Sequence, residues 1–276
     1  MPELPETETI ARDLDGAIRG AVIEAVEVSH ADVLREVDAK ALRRRAVGAT
    51  LERVWRRAKL VVIDLSTGDR IVVQPRFTGA LLLDDQGSIP DEELRYSTVA
   101  FHLADSRVLH YRDIRRLGTL ALMNERRFTT YVQSYGVEPL DSAFTPEHLS
   151  SRLRGSRQAI KKVLMDQRTL AGVGNIYANE ALWRSMIDPS RAAGSLSVSE
   201  IGRLHREIVA VLRESIAARG TSFRDYRDAR GERGRFAEQL QAYGREGQPC
   251  RRCGRRLIGT HAIDGRMTVL CASCQS

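Results

Sequence analysis

Apolar positions along the chain follow two periods. Between residues 59 and 123 they come in short runs: "KLVVIDL", "RIVVQP", "ALLLDD", "STVAFHL", "RVLHY" and "GTLALM". Asp, Gly, Ser and Pro punctuate them, and "STGD" between the first two reads as a hairpin turn. Closely spaced short strands of this kind predict an antiparallel sandwich or barrel. A helix precedes them, with Ile10, Leu14, Ala17 and Ile18 on one face and Gly20 as its stop. Beyond about residue 125 the period becomes helical. "TPEHLSSRL" opens one helix, and "RQAIKKVLMDQ" and "GNIYANEALWRS" flank the loop "RTLAGVG". Ser197 and Glu200 form a capping box before Ile201, Leu204, Ile208, Val211, Leu212 and Ser215, and that helix ends by Gly220. The segment "GTSFRDYRDARGERGRF" is polar and Gly-rich, carries five arginines, and reads as a mobile loop. No internal repeat is present.

A length of 276 residues suits about two domains. The start of the chain is acidic and lacks an apolar stretch of the signal-peptide type, and no apolar run reaches the roughly 18 residues of a membrane span. The expectation is a soluble intracellular protein with no membrane association. Net charge is +7, from 43 basic and 36 acidic residues. Lysine occurs only at Lys40, Lys59, Lys161 and Lys162, so the excess is arginine. Arginine forks suit phosphate and a polyanionic partner, although a genome rich in G and C would also inflate arginine.

The four cysteines crowd into the C-terminal segment as Cys250, Cys253, Cys271 and Cys274, spaced C-x2-C-x17-C-x2-C. A secreted disulfide framework would spread them. Paired C-x2-C turns instead offer four thiolates to one tetrahedral Zn2+, and four protein ligands make that ion structural. Arg251, Arg252, Arg255, Arg256 and Arg266 surround this finger against one acid, Asp264. A second acid-free basic cluster contains Arg152, Arg154, Arg157, Lys161 and Lys162 and leads into "AGVGNIYANE". Gly172 and Gly174 permit close backbone approach before a helix N-terminus at Asn175, a phosphate-binding arrangement. By itself that turn is equally an ordinary helix–helix connection.

The opening "MPELPETETI" poses a different question. Loss of Met1 would leave Pro2 with a free secondary amine, whose pKa near ~8 lies far below that of lysine. The dipole of the following helix disfavours a cation there and favours the Glu3 and Glu6 carboxylates. A neutral amine beside a carboxylate is the equipment for Schiff-base chemistry. Pro5 as a plain helix-start residue, with Pro2 and Glu3 as decoration, also accounts for these residues.

Taken together, "PELPETE", "RRAK" before a strand, "RRLG", "LMDQRTLAGVGNIYANEAL", "FAEQLQAYGREGQPC" and the terminal four-cysteine segment occur in an order that resembles the formamidopyrimidine-DNA glycosylase family, in the superfamily that includes endonuclease VIII. The resemblance spans essentially the whole chain. It implies an α+β multidomain fold: an N-terminal antiparallel β-sandwich with an N-terminal helix over 1–125, a hinge over 126–136, a helix–two-turn–helix domain over 137–236, and a zinc finger over 237–276. It further implies a bacterial, cytoplasmic, monomeric base-excision-repair enzyme acting on double-stranded DNA with oxidised purines or abasic sites. Pro2 would attack C1′ and expel the base, and β,δ-elimination would cut the strand. The resemblance assigns Glu3 as general acid, Lys59 as phosphate contact and proton donor, and Arg266 as phosphate grip linked to δ-elimination. Tyr96, Arg115, Arg157 and Asn175 would contact DNA. Glu6, Glu180, Thr221 and Ser222 would line the lesion pocket, with loop 220–235 as a lid over an everted purine. One Zn2+ would be held by the four cysteines.

Departures from the family pattern concentrate where a wedge must fill the gap left by the flipped nucleotide. "QPRFTG" places Phe77 where the family has methionine, and "DIRRLG" places Leu117 where it has phenylalanine. Both stay apolar, so a wedge is retained while lesion range and opposite-base preference become open. Two alternatives are a preference for oxidised pyrimidines, as in endonuclease VIII, and a non-catalytic damage-binding protein on the same scaffold. The chemistry-bearing residues Pro2, Glu3, Lys59 and Arg266 argue against the second.

Overall fold

The computed structural model describes residues 2–223 and 225–276. The expected loss of Met1, and the Arg224 position of loop 220–235, lie outside the described residues. The chain forms two compact units: Met1–Ser134 with Ala218–Ala237, and Tyr135–Ala217 with Glu238–Ser276.

The first unit begins with helix α1 (Leu4–Ile18), started by Pro5 and closed before Gly20 at φ +87°. Ile10, Leu14 and Ile18 are fully buried as their spacing predicts. Ala17, at the edge of that stripe, is exposed, and Ala11 takes its place in the core. Strands β1 (Ile23–Val28) and β2 (Leu34–Arg35) and helix α2 (Ala39–Ala46) follow. Next come β3 (Leu51–Arg57), β4 (Leu60–Leu65), β5 (Asp69–Gln74), β6 (Gly79–Asp84), helix α3 (Asp91–Leu94), β7 (Ser97–Leu103), β8 (Val108–Asp113) and β9 (Thr119–Asn124). The six runs read as strands are β4 to β9. One sheet has the order β1-β7-β8-β6 and the other β2-β9-β5-β4-β3. Every pairing is antiparallel except β2 with β9, a short parallel pair at one edge. Ile23, Phe101 and Leu109 from the first sheet, Val61, Ile63 and Ile71 from the second, and Ile10 and Leu14 from α1 share one apolar core. That shared core makes the unit a sandwich rather than a barrel.

Residues 126–136, expected as a hinge, are mostly helical. Helix α4 (Glu125–Val132) is capped by the Asn124 side chain, which accepts from Arg127 N–H at 2.9 Å, and it buries Phe128. Residues 218–236, expected with the helical domain, and Ala237, expected with the finger, group with the first unit. Tyr226 and Ala229 enter the sandwich core, so a segment read as a polar mobile loop contributes to a core.

The second unit contains α5 (Pro146–Leu153), α6 (Ile160–Met165), α7 (Asn175–Arg184) and α8 (Val198–Ala217). The Ser197–Glu200 capping box forms, with Ser197 N–H donating to Glu200 at 2.7 Å and Glu200 N–H to Ser197 Oγ at 3.3 Å. The six apolar-face positions named for α8 are its buried residues. A two-stranded hairpin, β10 (Ile258–Thr260) and β11 (Thr268–Leu270), carries the cysteine segment. Among the described residues, no helix is long and apolar enough to cross a membrane.

Candidate active site and metal centre

The start of the described chain is buried. Pro2, Glu3, Leu4, Pro5 and Glu6 are all shielded from solvent. Glu6 Oε2 accepts from Glu3 N–H at 2.8 Å, and Glu6 Oε1 accepts from Thr221 N–H at 2.7 Å. Tyr226 OH donates to the Glu6 carbonyl at 3.3 Å. One side chain thus ties the first residues of α1 to loop 220–235. Burial and the Glu6 charge push the Tyr226 hydroxyl well above its ordinary pKa, keeping it a donor.

Strand β3 runs against α1 and fixes the place of Lys59. Val54 N–H donates to Asp15 at 2.7 Å, and Arg56 Nε donates to Glu8 at 2.7 Å. Advancing along β3 therefore moves toward the Pro2 end of α1. The two-residue turn Ala58–Lys59 lies beyond Arg56 in that direction, with Ala58 at φ +53°. Burial raises the Glu8 pKa, but Arg56 and then Arg12 outweigh it and hold the carboxyl below its usual value.

Phe77 and Leu117 sit on two abutting turns. A Cβ on Gly118 would lie 2.7 Å from the Gln74 carbonyl oxygen and 2.8 Å from that of Pro75, so only glycine allows the approach. The buried Asp113 carboxylate joins the turns, accepting from Thr78 Oγ1 at 2.5 Å, Arg115 N–H at 3.3 Å and Gly118 N–H at 2.7 Å. The result is two exposed apolar side chains, Phe77 at 49 % and Leu117 at 41 %, with the Arg115 guanidinium 5.6 Å from the Phe77 ring. A large exposed apolar pair held this firmly is suited to a partner that covers it. Tyr96 is half-buried, with Arg95 stacked 4.7 Å from its ring.

In the second unit, Asn175 opens α7 and its amide donates to the Met267 carbonyl at 3.1 Å. Arg157 and Arg266 are exposed. A groove of about 440 Å³ beside Arg266 is lined also by Gln158, Lys162, Met165, Asp166, Arg168 and Asp264, a mixed lining with a slight basic excess in which Arg168 pairs with Asp166. Lys161, grouped on sequence with the acid-free basic cluster beside the phosphate-binding turn, is fully buried. Its ammonium donates to Thr268 Oγ1 at 2.7 Å and reaches Asp264 and the Met267 carbonyl at 3.4 Å, which holds the turn bearing Arg266. Glu180 is also fully buried. Its oxygens accept from Gln241, Ala242 and Tyr243 N–H at 2.8–2.9 Å, and burial raises its pKa against those bonds. It holds the entry of the cysteine segment to α7.

The ligand atoms of Cys250, Cys253, Cys271 and Cys274 lie within 4.8 Å of one another, and no disulfide joins these thiols. The edge of a ZnS4 tetrahedron is about 3.8 Å for Zn–S bonds of about 2.3 Å, so the cluster fits such an ion. Burial pushes the Cys250 thiol up, but the Arg252 and Cys253 backbone N–H groups outweigh it and bring it down to about 6. Burial and the neighbouring sulfurs drive Cys274 up to about 12. Four thiolates this close require a compensating cation. Trp183, Leu257 and Val269 pack around the cluster, and Arg252 stacks 4.4 Å from the Trp183 ring.

Residues that sequence reasoning passed over are Asp113, Asp228 and Arg219. Each is polar and gives no periodic signal; Asp113 meets Thr78 and Arg219 meets Asp13 far along the chain, while Asp228 gathers donors from its own loop.

Residues 1–120 match the formamidopyrimidine-DNA glycosylase N-terminal domain, and residues 135–227 match the formamidopyrimidine-DNA glycosylase H2TH domain. Curated relatives include formamidopyrimidine-DNA glycosylases of Desulforamulus reducens, 39% identical over 100% of this chain and 99% of the relative, and of Carboxydothermus hydrogenoformans, 41% identical over the full length of both. A Lactococcus lactis FPG mutant in complex with Fapy-dG containing DNA is similar in structure, with TM-score 0.92, 31% identity and full coverage of both chains. MutM (FPG) from Thermus thermophilus is similar with TM-score 0.87 and 34% identity, covering 99% of this chain and 98% of that one.

Proposed function

The chain belongs to the formamidopyrimidine-DNA glycosylase family, and from that premise we propose how its residues carry out the reaction. It is a base-excision-repair DNA glycosylase and AP lyase for oxidised purines. Removal of Met1 frees the Pro2 nitrogen as a secondary amine. The target carbon is inside a duplex, so the damaged nucleotide must first leave the stack, at a cost of a few kcal/mol. Phe77 and Leu117 fill the gap, with Arg115 and Tyr96 contacting the strand beside them. Pro2 nitrogen then attacks C1′, the glycosidic bond breaks, and its electron pair leaves with the base, which takes up a proton. Glu3, buried beside Pro2, handles proton transfer at the sugar and leaving group. Loss of the amine proton and breakage of the sugar's C1′–O4′ bond, with a proton to O4′, give an iminium that acidifies the C2′–H bond, and β- then δ-elimination break the two sugar–phosphate C–O bonds. Lys59, at the hairpin tip directed toward the Pro2 end of α1, donates a proton in the first elimination and contacts phosphate. Arg266 grips phosphate and serves the second elimination, and Asn175 and Arg157 bind the backbone. Glu6, Thr221 and Ser222 shape the lesion pocket. Glu180, matched to a glutamate near the lesion, acts by holding the 241–243 backbone.

One Zn2+ held by the four cysteines supplies no step. Its role is to fix the hairpin on which Arg266 is carried. The partner is duplex DNA with oxidised bases or abasic sites, met as a monomer in the bacterial cytoplasm. The observation carrying the reading is the buried Pro2–Glu3–Glu6 terminus, which is engaged by hydrogen bonds rather than frayed. Borohydride trapping on an 8-oxoguanine duplex tests it. A covalent adduct is expected, absent from Pro2→Gly and from protein that retains Met1. A full-strength adduct with Pro2→Gly refutes the assignment.

A further inference from the structure

Arg219 occupies a conformation that L-residues avoid. Its φ is +64°, in the left-handed region that costs a side-chain-bearing residue roughly 1–2 kcal/mol. It directly precedes Gly220 and the loop over 220–235, at a point where glycine would be strain-free. Something must offset that cost, and the guanidinium shows what does. Arg219 Nε donates to Asp228 Oδ2 at 2.9 Å, and Nη1 and Nη2 donate to the two oxygens of Asp13 at 3.3 and 2.5 Å. Asp13 lies on α1, the helix that carries Pro2 at its start, and Asp228 lies in the middle of the loop.

Asp228 is the hub of that loop. Its carboxylate is fully buried, and Oδ1 accepts from Arg230 N–H at 3.0 Å and Glu232 N–H at 2.9 Å. The loop is further fastened where Leu83 N–H of β6 donates to the Ala229 carbonyl at 2.9 Å. At its base, a Cβ on Gly234 would lie 2.2 Å from the Gly220 carbonyl oxygen, so the two ends of the loop touch. Ser222 Oγ donates to the Tyr226 carbonyl and accepts from Gly234 N–H, both at 3.0 Å. One arginine therefore joins the helix of the nucleophile to the buried centre of the loop, through charge-assisted hydrogen bonds at partly buried sites.

We propose that Arg219, bridging Asp13 and Asp228, is a positioning residue that sets the loop in its base-covering shape and thereby governs removal of an oxidised purine without governing cleavage at a site that already lacks its base. The inference rests on the reading of loop 220–235 as the cover of the lesion. The loop's contacts are needed only while a base must be held, so loosening it separates the two activities.

Arg219→Gly is the test, because glycine accepts φ near +64° without strain and only the bridge is lost. Hydrogen exchange of the full-length protein is measured for amides 225–232, with the amides of β7 and β8 as internal controls. Excision of 8-oxoguanine and cleavage of a preformed abasic site are measured on the same duplex sequence. Expected are at least tenfold faster loop exchange with unchanged strand exchange, about tenfold lower kcat/KM on 8-oxoguanine, and abasic-site cleavage within twofold of the parent; the tenfold factor corresponds to loss of about one charged hydrogen bond. Asp13→Asn, which leaves the Arg219–Asp228 pair in place, gives a smaller change in the same direction. Unchanged loop exchange overturns the proposal, and so does an equal fall in both activities. If the parent protein removes no base at all, the reading of the function fails while the exchange experiment still decides whether the bridge orders the loop.

Discussion

Replacing Phe77 with alanine tests the wedge where this chain departs most from its family. The ring is 49 % exposed, so about half of it remains to be buried when it enters the duplex. Full burial of a phenylalanine is worth about 1.5–3 kcal/mol, which leaves about 1 kcal/mol for the exposed half. Stacking against a base adds about 1–3 kcal/mol by alanine substitution. A combined loss of about 2–4 kcal/mol is roughly 30- to 800-fold in kcat/KM. The fold should not register the change, because surface substitutions usually stay within about 0.5 kcal/mol and the turn is held by Asp113, Thr78 and Gly118 rather than by the ring. Single-turnover excision of 8-oxoguanine from a duplex, alongside chemical denaturation, gives both quantities. Phe77→Leu should recover about the 1 kcal/mol that comes from burial, roughly fivefold, but not the stacking part. Undiminished excision by Phe77→Ala would refute the wedge, and a large loss of stability would show that the ring serves packing instead.

The remaining predictions address the supports around the site. Asp113→Ala removes the shared acceptor of both wedge turns and should cost about 2–4 kcal/mol in denaturation, because buried donors are left unsatisfied. Glu200 is held down to about 2, first by its hydrogen bond from Arg191 and then by Ser197. A depressed carboxyl stabilises above its unfolded pKa and loses that contribution as pH falls through its folded one. Stability measured by denaturation should therefore decline between about pH 4.5 and about pH 2, and Glu200→Gln should flatten that part of the profile. Chelating the metal should lower DNA affinity before it affects N-terminal trapping. It should also shift the emission of Trp183, which packs against Cys250 and Cys271, in a Trp55→Phe background. Equal affinity after complete metal removal would contradict the structural role given to the ion.

Legibility of the fold followed exposure. Strands β4, β5, β7, β8 and β9 are flanked on both sides within their sheets, and their apolar runs announce them. Strands β1, β2 and β3 escaped notice, and each lies at or next to the margin of a sheet, where charged residues such as Glu24, Glu27, Arg53 and Arg56 break the pattern. Strand β6, also marginal, was legible because the Ala229 region covers it and its run stays apolar. The α8 face was legible to the residue because an amphipathic helix declares its own core side.

By itself the sequence determined the elements whose information is local: the strand runs, the α8 stripe, the Ser197 cap, the cysteine spacing, and the proline and acids that open α1. Only tertiary structure decided how the polar residues are used. Glu6 meets Thr221 across 215 positions, and Arg219 meets Asp13 across 206. Lys161, which sequence places in a basic cluster beside a phosphate-binding turn, is buried as a support for the turn of Arg266. A charged side chain carries no periodic signal of its partner. Burial and ion pairing at such separations are set by which surfaces the folded units bring together, so the chemistry could be recognised in the chain while its scaffolding had to be seen.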